Sequence, residues 1–197
     1  MITRKATRIT AALLGISAGI AGLEHGWFEI LQGNTRPEGI MIASIGPPCD
    51  PEVVWNACEP AMTILPNFLI TGILAVILGF AILIWSIFFL QKKAGGLVLM
   101  ILSVALLLFG GGLFPPIIGI VGGVAATAIN KPVNRQPGPI LNFAAKLFPW
   151  PVAVYTFWVF AQFPIGHFFN NELKAVMGVA AILILASLPL SVYTGYA

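Results

Sequence analysis

Four stretches of this chain carry no charged residue: Pro60 to Gln91, Ala94 to Asn130, Leu147 to Asn171 and Ala175 to Ala197. Each exceeds the roughly 18 apolar residues that suggest a membrane-spanning helix. A shorter apolar run, Ile9 to Leu23, is carried on by Trp27, Phe28, Ile30 and Leu31 to about 23 residues, also enough to span. The second stretch is broken by "GGGLFPP", whose glycines and prolines remove helix propensity and backbone donors and so predict a turn between two short helices. The pattern predicts an all-α chain with helices over 9–31, 62–90, 95–112, 116–129, 149–168 and 175–195. An outer loop, 32–60, and a basic, Pro-rich inner loop, 130–148, complete it. The last two helices are expected to be joined by "NNELK", and "ILNFAAKLF" in the inner loop reads as a short amphipathic helix lying along the interface.

Composition agrees with this pattern. Hydrophobic residues make up 58% of the chain and charged residues 9%, against roughly a quarter charged in soluble domains. The expectation is one integral membrane domain over residues 1–197, a polytopic helical bundle in a prokaryotic plasma membrane. Its cations are divided among short segments instead of forming one basic face, which argues against a nucleic-acid partner.

Those cations set an orientation instead, because lysine and arginine are retained on the cytoplasmic side. Arg4, Lys5 and Arg8 place the N-terminus inside. With the "GGGLFPP" turn making a hairpin, the C-terminus is also cytoplasmic, and eight of the ten basic residues fall inside while all seven acidic ones lie at or beyond the outer boundary. A single crossing over 94–130 would instead put Lys131, Arg135 and Lys146 outside. Arg4, Lys5 and Arg8 ahead of an apolar run, with Gly19 and Ala21 behind, also fit a cleaved secretory signal; the apolar continuation to Leu31 favours a retained helix.

Candidate chemistry concentrates at the outer end of the first helix, in "GLEHGWFEILQGN". At 3.6 residues per turn, Glu29 falls about 40° and Gln32 about 20° from His25 around the axis. Ala11, Gly15, Ala18, Gly19, Gly22 and Gly26 lie on the same side, whereas Leu13, Ile16, Ile20, Leu23, Trp27, Phe28 and Leu31 spread over the opposite one. Small faces let helices approach closely and bulky ones meet lipid, so His25, Glu29 and Gln32 are expected to border the packed side. Glu24 points with the bulky residues toward the headgroups. His25, Glu29 and Gln32, with Asn67 and His167, are the ligand or proton site candidates.

Thr63, Asn67 and Thr71 recur at one-turn spacing and, with Gln162, are expected to hydrogen-bond between helices. Cys49 and Cys58 flank "DPEVVWNA" in the outer loop and are expected to form a disulfide. His25 and His167 fall at one membrane level, but no HExxH or CxxC spacing accompanies them, so neither metal nor another cofactor is expected. "GISAG" matches the G-x-S-x-G pattern of hydrolases, yet Ser17 lies inside an apolar helix, not on the strand-to-helix turn that such chemistry needs.

The run "GLEHGWFEILQGN", together with "EPAMTILPN" and "GGGLFPP", resembles an uncharacterised group of small prokaryotic multi-pass membrane proteins, a likeness that implies no activity. From the residues alone, the leading expectation is a non-enzymatic accessory or scaffold component whose partners are the bilayer and a second copy or other membrane subunits. The alternative is a small carrier or ion-binding protein with an outward-facing His/Glu site. A third reading is an enzyme acting on lipid or quinone, for which the sequence offers only scattered acid–base groups.

Overall fold

The computed structural model describes residues 4–45, 49, 50, 52, 53, 58–131 and 138–196. Of these, 73% are helical. In chain order the elements are α1 (Lys5–Leu31), β1 (Met41–Ile45), β2 (Glu59–Met62), α2 (Phe68–Phe88), α3 (Gly95–Leu108), α4 (Phe114–Ala126), α5 (Pro139–Leu147), α6 (Trp150–Phe168) and α7 (Asn170–Tyr196). Four helical stretches are long and apolar enough to cross a membrane: α1, α2, α7, and α5 with α6 taken together over Pro139–Phe168. Helices α3 and α4 are apolar but shorter.

Helix α1 is the axis of the fold, packing most extensively on α2, next on α4, and also touching α3, α6, α7 and β1. Small residues explain why α1 and α2 come so close. A Cβ added at Gly26 would lie 2.8 Å from the Gly72 carbonyl, and one at Gly19 would lie 2.9 Å from the Gly79 carbonyl. On α2, the buried positions Gly72, Ala75, Gly79, Ile82 and Ser86 recur every three or four residues and form the facing stripe. Leu99 and Leu106 of α3 and Ala125 and Ala126 of α4 join Ala11 and Ala18 in the main core. Leu14, Tyr155 and Leu188 tie α6 and α7 to it as a second cluster. The small-residue side of α1 is buried as its periodicity predicts, while Ile20, Trp27 and Leu31 on the other side are exposed.

The helices alternate between two ends. At one, α3 and α4 turn at Gly110–Leu113 and meet the β-hairpin: the Gly110 amide donates to the Met62 carbonyl at 2.9 Å and the Ile64 amide to the Leu108 carbonyl at 3.0 Å. The α6–α7 junction lies at this end too, where the Asn170 side chain donates to the Glu52 carbonyl and Lys174 pairs with the Glu52 carboxylate. At the other end Arg4 stacks over the Tyr196 ring, and Asn130 donates to the Gln91 carbonyl.

Several expected boundaries move. The second helix starts at Phe68, not 62, because Pro66 interrupts the run and Asn67 caps the helix, its Oδ1 accepting from the Ile70 amide at 3.0 Å. The preceding "EPAM" is strand β2, paired antiparallel with β1, in place of the expected loop to residue 60 and helix from 62. "NNELK" is not a connection but the start of α7; the Leu173 amide already bonds the Phe169 carbonyl, and Glu172 suits the positive end of a helix. The third helix stops at Leu108 because Gly110 takes φ +85°. Of "ILNFAAKLF", Ile140 to Leu147 lie in the short helix α5, and Phe148 is extended just past its end.

Candidate functional site

His25 and Glu29 sit one turn apart on the packed side of α1, both buried. The His25 Nε2 lies 3.2 Å from an oxygen of Glu59, the first residue of β2, whose side chain is half exposed. The Glu29 carboxyl is wholly enclosed. Ser44 of β1 donates its hydroxyl to Glu29 Oε1 at 2.8 Å. The same hydroxyl lies 3.2 Å from the Gly110 carbonyl and 3.4 Å from the His25 carbonyl, so it sits where helix, strand and glycine turn meet.

The turn closes over both side chains. Gly110 and Gly112 adopt φ +85° and +81°, the left-handed region open to glycine. A Cβ at Gly110 would lie 2.3 Å from both Glu29 oxygens, and one at Gly112 would lie 2.6 Å from His25 Nε2. Backbone therefore rests directly on the carboxyl and the imidazole, with no room for a side chain between. Among the described residues, two buried polar atoms of this site, Glu29 Oε2 and His25 Nδ1, find no hydrogen-bond partner.

The other residues singled out from the sequence hold the frame. Gln32 donates to the Ala43 and Ser44 carbonyls, both at 2.9 Å, and so pins β1 to the end of α1. Thr63 and Thr71 share a hydrogen bond of 2.6 Å, but Thr63 stands in the strand extension rather than on a helix face. Asn67 caps α2 and donates to Asn34. Among the described residues Gln162 donates to the Val159 carbonyl of its own helix and to no other helix. His167 stands exposed on α6, edge-on to Phe168. The structure thus unites His25, Glu29 and Gln32, while Asn67 and His167 are engaged with other neighbours. Cys49 and Cys58 form the disulfide.

Sequence reasoning missed Ser44 and the two lid glycines. The available signal for Ser44 was the alternation in "MIASI", which puts Ile42 and Ser44 on one buried side of a strand. Chemically, the Ser44 hydroxyl faces a carboxylate and backbone carbonyls, whereas the imidazole faces a different carboxylate. Ser44 therefore makes no hydroxyl–imidazole contact of the kind that activates a serine for acyl transfer. Ser17, in the hydrolase-like pentapeptide, donates to the Leu13 carbonyl within α1. Among the described residues no three His, Cys, Asp or Glu side chains are grouped to hold a metal ion. Comparison with protein-family models, curated proteins and solved structures finds no match to this chain.

Proposed function

We propose that the chain is an integral, non-enzymatic component of a prokaryotic cell membrane, a helical bundle with both termini cytoplasmic that serves as an accessory or scaffold for a second copy or for other membrane subunits. The four long apolar helices support the membrane setting. So does the charge distribution, with Lys92, Lys93 and Lys131 at the end opposite the β-hairpin. Helices α3 and α4 rise about 20 Å each, short of a hydrocarbon core of roughly 30 Å. Their glycine turn then lies within the outer leaflet, where irregular backbone is tolerated only when enclosed by protein; the hairpin supplies that enclosure through Met62 and Ile64.

The observation that carries the non-enzymatic reading is the use of the α1 polar groups. Glu29, His25 and Gln32 are engaged by Ser44, Glu59 and the β1 backbone, so they fasten a folded outer cap to the bundle. The test is purification of the full chain in mild detergent with crosslinking in cells beforehand. A defined oligomer or a reproducible membrane partner is expected; a strict monomer with no crosslinked partner overturns the accessory role.

One observation favours a second reading, a small carrier or ion-binding protein: Glu29 Oε2 and His25 Nδ1 are enclosed without partners among the described residues. In proteoliposomes this reading requires ion or solute flux that His25→Ala with Glu29→Gln abolishes, and unchanged flux in that variant rejects it.

A further inference from the structure

Between the α2–α3 turn and the end of α4 lies a cavity of about 330 Å³, lined by Lys92, Lys93, Gly96, Leu97, Thr127 and Asn130. No acidic residue lines it, and among the described residues neither lysine has a salt-bridge partner. The cavity wall is fixed from both sides: Asn130 donates to the Gln91 carbonyl, and the Trp85 indole to the Gly95 carbonyl at 2.9 Å. Gly96 lets α4 close the floor, since a Cβ there would lie 2.4 Å from the Gly123 carbonyl. The Gly96 and Leu97 amides find no backbone acceptor among the described residues, which adds donors to the two ammonium groups.

An apolar track leaves this cationic mouth. Leu97, Ile101 and Val104 are exposed along α3, and Val124 and Ile117 along α4. A positive, donor-rich recess that shares Leu97 with the exposed apolar side of α3 is complementary to an amphiphile whose head is anionic and whose tails are hydrocarbon. Basic pockets between helices on the cytoplasmic side are where anionic headgroups are held.

We infer that this cavity is a binding site for the phosphate headgroup of an anionic phospholipid of the inner leaflet, with its acyl chains along α3 and α4. The inference rests on the membrane reading above. Lys92 and Lys93 supply charge to the phosphate, the Gly96 and Leu97 amides donate to its oxygens, and the apolar track distinguishes a lipid from free phosphate.

The experiment measures retained lipid by native mass spectrometry after extracting the full chain from vesicles of phosphatidylglycerol and phosphatidylcholine. Wild type should keep phosphatidylglycerol selectively. Lys92→Gln with Lys93→Gln should lower its affinity about thirtyfold, the equivalent of about 1 kcal/mol for each lysine near an anionic surface. The charge-matched variant Lys5→Gln with Lys146→Gln, outside the cavity, should stay within about twofold. Equal loss in both variants, competition by millimolar inorganic phosphate, or no preference for phosphatidylglycerol each overturns the site. Failure of the membrane reading looks different: the wild-type chain then remains monodisperse without detergent and fails to enter vesicles of either composition.

Discussion

Replacing Gly110 by alanine tests whether the glycine turn is built around Glu29. Two costs add. At φ +85° an alanine occupies the left-handed region at a cost of about 1–2 kcal/mol. Its methyl would also lie 2.3 Å from both Glu29 oxygens, and because that carboxyl is fully enclosed and held by Ser44, it cannot swing aside. Overfilling a packed site typically costs about 1–3 kcal/mol, so the total expected loss is about 2–5 kcal/mol. Gly33 provides the control, with φ +74° and nothing within 4 Å of an added Cβ; Gly33→Ala carries the backbone cost alone, about 1–2 kcal/mol. The assay is equilibrium unfolding of the full chain in mixed micelles, titrated with a denaturing detergent and followed by tryptophan fluorescence. In a Glu29→Ala background, where the obstructing oxygens are gone, Gly110→Ala should cost no more than Gly33→Ala. Equal costs for Gly110→Ala and Gly33→Ala in the native background refute the close packing of turn on carboxyl.

Gly26→Val should separate α1 from α2 and prevent recovery of a monodisperse chain, because even a Cβ at that position lies 2.8 Å from the Gly72 carbonyl and the Val76 amide; Gly178→Ala, with open space around it, should be neutral or stabilise by up to about 1 kcal/mol, both read by size-exclusion profile and unfolding midpoint. Cys49→Ser with Cys58→Ser should cost about 2–3 kcal/mol from the loss of a short closed loop, and reductant should destabilise wild type but not this variant. Thr63→Val and Thr71→Val should be non-additive in a double-mutant cycle by about 0.5–1.5 kcal/mol, since each hydroxyl satisfies the other at 2.6 Å; additivity removes that contact from the account.

The parts of this fold that depend on local period were legible in the chain. The small residues of α1 return every three or four positions, so the side that meets α2, and with it the inward direction of His25 and Glu29, followed from helical geometry. "GGGLFPP" announced its own turn because glycine and proline act through backbone preferences that need no partner. The partners of His25 and Glu29 were another matter. Ser44 reaches Glu29 from a strand of five residues, and Gly110 reaches it across 66 positions from Ser44, and nothing local encodes such a meeting. Strand β2 was hidden by Pro60, a residue that argues against a central strand but fits a two-stranded sheet opposite Ala43. Thr63, Asn67 and Thr71 misled through their spacing: four-residue intervals imitate a helix face, and only Pro66 and the capping role of Asn67 break it. "NNELK" looked like a loop because Asn and Glu are polar, yet both suit a helix start.

Helix α1 is made before most of the segments that pack on it. Ser44 arrives soon afterwards, but Gly110 follows much later, and the Gly195 carbonyl that accepts from Thr7 lies 188 residues downstream. At synthesis rates of about 5–20 residues per second, that last contact waits about 10–40 s. Until then Thr7 lacks that acceptor, whereas His25 and Glu29 wait only for Ser44, Glu59 and the Gly110 turn. The Thr7–Gly195 contact therefore closes α1 on α7 only after the rest of the bundle has been made, and a chain cut before Gly195 should keep the β-hairpin cap on α1 while losing that closure.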